Sequence, residues 1–232
     1  MCDIRIVDLT RRCKPLVFAF YDTSGRQHFS QLGGSELVDN LLKGRRDGIF
    51  VECGAADGEE LSNSLFFELR RNWTGVLIEA NPDFLRALLY KNRNAYVVRA
   101  CLSATTRPQT AKFQLSTLHR GIARNINNLD RNAPVVDVQC FPLNSITAAL
   151  GMRHVDCLSL DVEGAEPDIL KTIDWTQLTV DVITVEYAYR ADRLNRLRSL
   201  FNATGMFVEV GLLPLGSTVS AGVDVVFKRI TK

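Results

Sequence analysis

From Gly48 onward, short apolar runs alternate with stretches in which apolar residues recur every three or four positions. That alternation is the signature of βαβ units, and hence of a mostly parallel sheet covered on both faces. Strands are expected over Gly48–Cys53, Gly75–Glu79, Ala95–Leu102, Val155–Asp161 and Val180–Tyr187, each rich in Val, Ile, Leu or Phe and bounded by breakers. Between them, Glu59–Arg71 lines up Leu61, Leu65, Phe66 and Leu69 on one helical face, and Pro82–Asn92 starts with a first-turn proline behind an Asn81 cap. Asp192–Ala203 repeats the helical pattern with Leu194, Leu197, Leu200 and Phe201. The last third differs. Met206–Leu212 and Val223–Lys228 are joined by Pro214, Gly216, Ser217 and Gly222 with no room for a crossover helix, so they are expected to pair antiparallel. The sum is a doubly wound α/β fold with a seven-stranded sheet.

Composition narrows the class. A chain of 232 residues, 46% hydrophobic and 23% charged, is one ordinary globular unit, which excludes disorder, collagen-like fibres and a pure coiled coil. A net charge of +2 from scattered residues announces no nucleic-acid or membrane partner, although 21 of the 28 basic residues are arginine, the type suited to forked contacts with carboxylate or phosphate. No run approaches the roughly 18 apolar residues of a membrane helix, and the start MCDIRIVDLTRRC lacks the apolar core of a secretory signal. A cytoplasmic location is expected. The six cysteines, Cys2, Cys13, Cys53, Cys101, Cys140 and Cys157, have no C-x-x-C spacing and read as reduced thiols, with Cys53 and Cys157 as small core residues. The polar segment Ser116–Pro134, with His119, Arg120, Arg124 and Arg131, is the candidate lid.

Three places carry chemistry. In Val51-Glu52-Cys53-Gly54-Ala55-Ala56-Asp57-Gly58 a strand runs into a glycine-bearing turn and then a helix. Gly54 and Gly58 allow a sharp turn and a close approach to a ligand, but Ala56 stands where a dinucleotide fingerprint needs its second glycine. The acidic flanks Glu52 and Asp57 also suit an ammonium group and would repel a pyrophosphate. Glu79 ends the next strand, followed by Ala80, at the offset where an acid accepts both hydroxyls of a ribose. Together these describe a nucleoside with an amino-acid tail. S-adenosyl-L-methionine fits, with Cys101-Leu102-Ser103 near its adenine. Finally, Asp161, Glu163 and Glu166 crowd the end of a buried strand, where so much charge is costly unless something binds it, and Glu186 at the end of the following strand projects toward the same crevice.

These residues resemble the FkbM-type methyltransferases, including the related domain of invertebrate Star-like proteins. The resemblance covers roughly 29–228 and rests on four blocks in order: Phe29-Ser30-Gln31-Leu32-Gly33, the Glu52 to Gly58 turn, Trp73 to Pro82, and Leu160-Asp161-Val162-Glu163-Gly164-Ala165-Glu166 with Val185-Glu186. It implies a Rossmann-like class I fold, a mostly parallel seven-stranded sheet with a C-terminal antiparallel hairpin and helices on both faces. It also implies S-adenosylmethionine as donor and O-methylation of a sugar, polyketide or similar small molecule. Residues 1–47 would form a leader with a cofactor-covering helix, Gln31 among its cofactor contacts, and 48–232 the methyltransferase domain.

Within that reading Asp161 orients or deprotonates the acceptor, and Glu163 and Glu186 tune it or complete a divalent site. Magnesium or manganese would suit such oxygen ligands, but a metal-free site is favoured. The acceptor is expected to be a small molecule or glycan, with RNA as the alternative and no membrane partner. Methyltransferases acting on a cap ribose resemble a Lys-Asp-Lys-Glu arrangement; Lys43 and Asp161 would supply two members, but no lysine lies between Lys171 and Lys228, and Glu186 stands there instead. A silent binding protein that keeps the fold is the remaining alternative.

Overall fold

A computed structural model of the chain describes residues 6–7, 28–115, 134–188, 190–216, 218 and 223–230. The candidate lid therefore lies outside the described residues except for its last residue, Pro134, whose carbonyl accepts the N–H of Leu115, the residue before the segment, at 2.8 Å. Cys2 and Cys13 also lie outside.

The main sheet is built from β1 (Ile6–Val7), β2 (Ile49–Cys53), β3 (Thr74–Glu79), β4 (Ala95–Arg99), β8 (His154–Leu160), β9 (Thr179–Glu186), β10 (Phe207–Leu213) and β11 (Asp224–Arg229). Their order is β1-β4-β3-β2-β8-β9-β11-β10. Strands β4, β3, β2, β8 and β9 are parallel, while β11 inserts antiparallel between β9 and β10. The two-residue β1 adds an antiparallel edge to the seven strands expected. Because the order reverses between β2 and β8, the carboxyl ends of β2, β3 and β8 open a crevice at the switch point.

Helices cover both faces. On one face, α1 (Gly34–Leu41), α2 (Leu65–Arg71) and α3 (Pro82–Tyr90) bring Val38, Phe67 and Leu88 onto Phe50, Leu77 and Val97. On the other, α4 (Leu143–Ala149), α5 (Glu166–Leu170) and α6 (Ala191–Thr204) bring Ile146, Ile169, Leu197 and Phe201 onto Val51, Val76, Leu158 and Ile183. Successive strand residues thus feed opposite layers, as a sheet buried on both sides requires.

Two helix boundaries are informative. α3 starts as expected, with Pro82 in the first turn and the Asn81 side chain accepting the Asp83 N–H at 2.9 Å. α2 starts at Leu65, six residues after the position the periodicity gives. Upstream, Asp57 Oδ1 takes the N–H groups of Glu59 and Glu60, and Leu61 is left-handed at φ 57°, so the backbone cannot continue as a helix.

The strand expected over Ala95–Leu102 breaks at Ala100: β4 stays in the main sheet, while β5 (Cys101–Leu102) joins β6 (Gln109–Gln114) and β7 (Val135–Phe141) in a three-stranded sheet of order β5-β7-β6. That sheet corrects the reading of the cysteines. Cys101 and Cys140 lie opposite one another on β5 and β7 and form a disulfide across 39 residues of sequence. Cys53 and Cys157 are free and buried as expected, and burial raises both thiols far above their ordinary range. Among the described residues, no helix is long and apolar enough to cross a membrane.

Candidate active site

The crevice has two lobes that meet at Gly54, Ala56, Phe84 and Asp161. The first, of about 190 Å³, is mostly apolar, with Ile78, Leu102, Phe113 and Ile169 in its walls and Glu79 and Glu163 at its polar edge. The second, of about 380 Å³, is polar, with Glu52, Asp57, Glu60, Ser62 and Asn63 around it. Gly54 makes the junction possible. It is left-handed at φ 82°, and a β-carbon on it would lie 1.9 Å from the Asp161 carbonyl oxygen.

The turn that floors the polar lobe is held by a buried network. Glu52 accepts the Asn63 N–H at 2.7 Å, the Ser62 hydroxyl at 3.0 Å and the Ser64 hydroxyl. Beneath it the fully buried Arg93 donates to Glu68 at 2.7 Å, to Ser64 at 2.9 Å and to the Gly58 carbonyl. Asp57 faces Lys91 at 3.5 Å, and Lys91 also pairs with Glu59. Glu79 is clamped in place by the Ala56 N–H at 2.7 Å and the Asn81 N–H at 2.6 Å.

The other wall is different. Asp161 follows β8 and stands beside Glu186, the last residue of β9, because the residues before them, Leu160 and Val185, are register partners. Asp224 at the start of β11 is the register partner of Glu186. Glu166 Oε1 accepts the Val162 and Gly164 N–H groups at 3.1 and 2.9 Å. Glu166 Oε2, Glu186 Oε2 and Arg193 Nη1 are buried without a hydrogen bond, the arginine nitrogen lying 3.9 Å from each carboxylate. Burial first, then the charges of Glu163, Asp224 and Glu166, pushes Asp161 up to about 7 against the opposing hydrogen bond to Glu186. Glu186 rises to about 9, from burial and then Asp161 and its acidic neighbours, and Asp224 to about 6, from burial and then Glu166. Two adjacent buried carboxyl groups raise each other, so they titrate as a pair that binds protons more readily than either acid alone.

Of the residues singled out in the sequence, Gly54, Glu79, Ala80, Cys101, Leu102, Asp161 and Glu163 line the apolar lobe. Glu52, Ala55 and Asp57 line the polar one. Glu186 reaches the crevice through Asp161. Three lie apart: Gly58 packs against Leu88 and Arg93, Ser103 is buried with its hydroxyl on Thr105 and the Arg107 carbonyl, and Gln31 is exposed on a short 3-10 turn. Arg93, Phe84, Phe113, Arg193 and Asp224 were not legible as site residues. For Asp224 a signal existed, an acid opening a run of apolar strand residues. The described residues contain one His/Asp group converging closely enough to share an ion, His154, Asp156 and Asp181, at the opposite edge of the sheet, where Arg45 bonds to both carboxylates.

The sequence profile of the Methyltransferase FkbM domain matches residues 52–209, more than half of the chain. The chain belongs to that family. No curated protein matches it. Among solved structures, a candidate rRNA-methylase from Clostridium thermocellum aligns at 7% identity with a TM-score of 0.50, covering 87% of this chain and 98% of that one, which supports the class I methyltransferase fold. An FkbM methyltransferase from Methylobacillus flagellatus aligns at 13% identity and TM-score 0.47, covering 78% of this chain and 43% of that one. A candidate methyltransferase from Streptococcus mutans in complex with SAH aligns at 7% and 0.49, covering 84% and 97%.

Proposed function

We propose that this FkbM-family protein binds S-adenosylmethionine in the two-lobed crevice and transfers its methyl group to a hydroxyl oxygen of a sugar or similar small molecule. The observation that carries this reading is the division of the crevice: an apolar lobe with a clamped acid, Glu79, at its edge, joined at Gly54 and Asp161 to a polar lobe ringed by Glu52 and Asp57. The first suits adenine and ribose, with Ala80, Cys101 and Leu102 against the base. The second suits the ammonium end, with Ala55 and the turn ending at Gly58 beneath it. Ser103 backs β5 without lining either lobe, and the start of α1 borders the polar one, since a β-carbon on Gly34 would lie 3.6 Å from Asn63 Oδ1.

When bound, the donor supplies an electrophilic methyl group for in-line displacement. The protein's task is then to orient the acceptor and take its proton, which falls to Asp161, Glu186 and Glu163. The carboxyl groups of Asp161, Glu163, Glu166, Glu186 and Asp224 against one guanidinium favour an uncharged acceptor over RNA, whose phosphates they would repel. No metal enters this scheme. Equilibrium dialysis with labelled S-adenosylmethionine tests the reading. Retention at micromolar donor is expected, with Asp161→Asn retaining donor while losing transfer to glycosides by about 10²-fold or more. No retention at millimolar donor would overturn it.

A further inference from the structure

The carboxyl pair at the junction of the two lobes is arranged to respond to the charge of what lies there. Asp161 lines both lobes, so a ligand that fills them places the atom linking its nucleoside to its amino-acid tail against this side chain. In the proposed donor that atom is a sulfonium, and in the product it is a neutral thioether. The rest of the two molecules is the same.

The surroundings of the pair are one-sided. From the turn after β8 it is faced by Glu163, from the start of α5 by Glu166, from β11 by Asp224, and from α6 by Arg193. Arg193 is the only cation among these groups, and at 3.9 Å it makes no hydrogen bond to Glu186 Oε2 or Glu166 Oε2. Gly164 leaves room for it, since a β-carbon there would meet Arg193 Nη2 at 2.9 Å. Two buried carboxyl groups side by side at the ends of β8 and β9 in such company hold a proton that one nearby positive charge can displace.

We infer that donor binding is linked to a proton: the Asp161–Glu186 pair is neutral in the free protein and releases one proton when a sulfonium enters, so the site separates charged donor from neutral product. This rests on the reading that the crevice takes S-adenosylmethionine. It also closes the transfer step. As the acceptor oxygen bonds to the methyl carbon, the sulfur–carbon bond breaks with its electron pair left on sulfur, and the hydroxyl proton passes to the Asp161–Glu186 pair that binding had deprotonated. The positive charge on sulfur and the negative charge on the pair disappear together, and the protonated pair is restored beside a product it no longer attracts.

Isothermal titration of the full chain with S-adenosylmethionine and with S-adenosylhomocysteine, in buffers of different ionisation enthalpy near pH 6.5, counts the protons directly. The ligands carry the same amino and carboxyl groups, so proton changes common to both cancel. The expected excess for the sulfonium ligand is about one proton released, with its affinity tightening toward about tenfold per pH unit between pH 6 and 7 while that of the thioether changes far less. In Glu186→Gln the excess disappears. If that variant loses its fold by circular dichroism, Asp161→Asn takes its place. Equal proton counts for the two ligands, or an excess that survives both substitutions, would overturn the inference alone. Heat from neither ligand would overturn it together with the reading of the crevice.

Discussion

The two acidic walls of the crevice use the same side chain in opposite ways. Along the turn after β2, the carboxylates are saturated: Glu52 accepts from Ser62, Asn63 and Ser64, Asp57 from Glu59 and Glu60, and Glu79 from Ala56 and Asn81. Across the junction, Glu186 and Glu166 each keep a buried oxygen without a hydrogen bond, and Asp161 stands beside Glu186 with its value raised by burial and acidic neighbours. Saturated carboxylates fix backbone and give shape, because every donor they take is a geometric constraint. Under-partnered ones are poised to change charge. The difference separates the part of the site that recognises from the part that reacts.

The hardest blow to the saturated wall is Arg93→Met. Arg93 and Glu68 are both without exposed side-chain surface, so the substitution strands a buried carboxylate and frees the Gly58 carbonyl and Ser64. A loss of about 3–5 kcal/mol in urea unfolding is expected, part of it recovered when Glu68→Gln is added. A loss below about 1 kcal/mol would mean that the turn holds itself together without this network.

Glu79→Gln probes the same wall with less damage to the fold. An amide has one acceptor oxygen where the carboxylate has two, so either a backbone N–H or the ribose loses its partner. With charge-assisted hydrogen bonds worth about 1.5–3 kcal/mol, donor affinity in calorimetry should fall by roughly 10- to 100-fold. Unchanged affinity would move the ribose away from Glu79.

The contrast also separates what the sequence disclosed from what it hid. The alternation of strands and helices, the antiparallel end and the acids at strand ends were legible because each is written in a local period or at a strand terminus. β6 and β7 were not: Gln109–Gln114 is half polar, and Val135–Phe141 alternates with one face exposed, so neither resembles the doubly buried runs of the main sheet. The disulfide is hidden for the same reason, since nothing local in the sequence marks the sheet that brings Cys101 to Cys140. Arg93 reads as a surface residue in Lys-Asn-Arg-Asn, and only its convergence on residues 25 to 35 positions away explains its burial. Local pattern discloses saturated frames poorly because their partners come from elsewhere in the chain.

The reactive wall makes its own mark on stability, smaller and visible only against pH. Asp161, Glu186 and Asp224 all have folded-state values raised above the ordinary carboxylate range, to about 7, 9 and 6. Over the interval from the unfolded values near 4 up to these values, the folded chain binds more protons than the unfolded one. Their contribution to stability is therefore complete below about pH 4 and is lost progressively as pH rises through 6 to 9. A fall of a few degrees in thermal midpoint between pH 6 and 9 is expected for the free protein, on the scale of about 2–4 °C per kcal/mol for a chain of this size. Glu186→Gln should flatten that slope and raise the midpoint at pH 9, because an uncharged amide no longer has to deprotonate beside Asp161. An equally steep slope in the variant would return these acids to the role of frame.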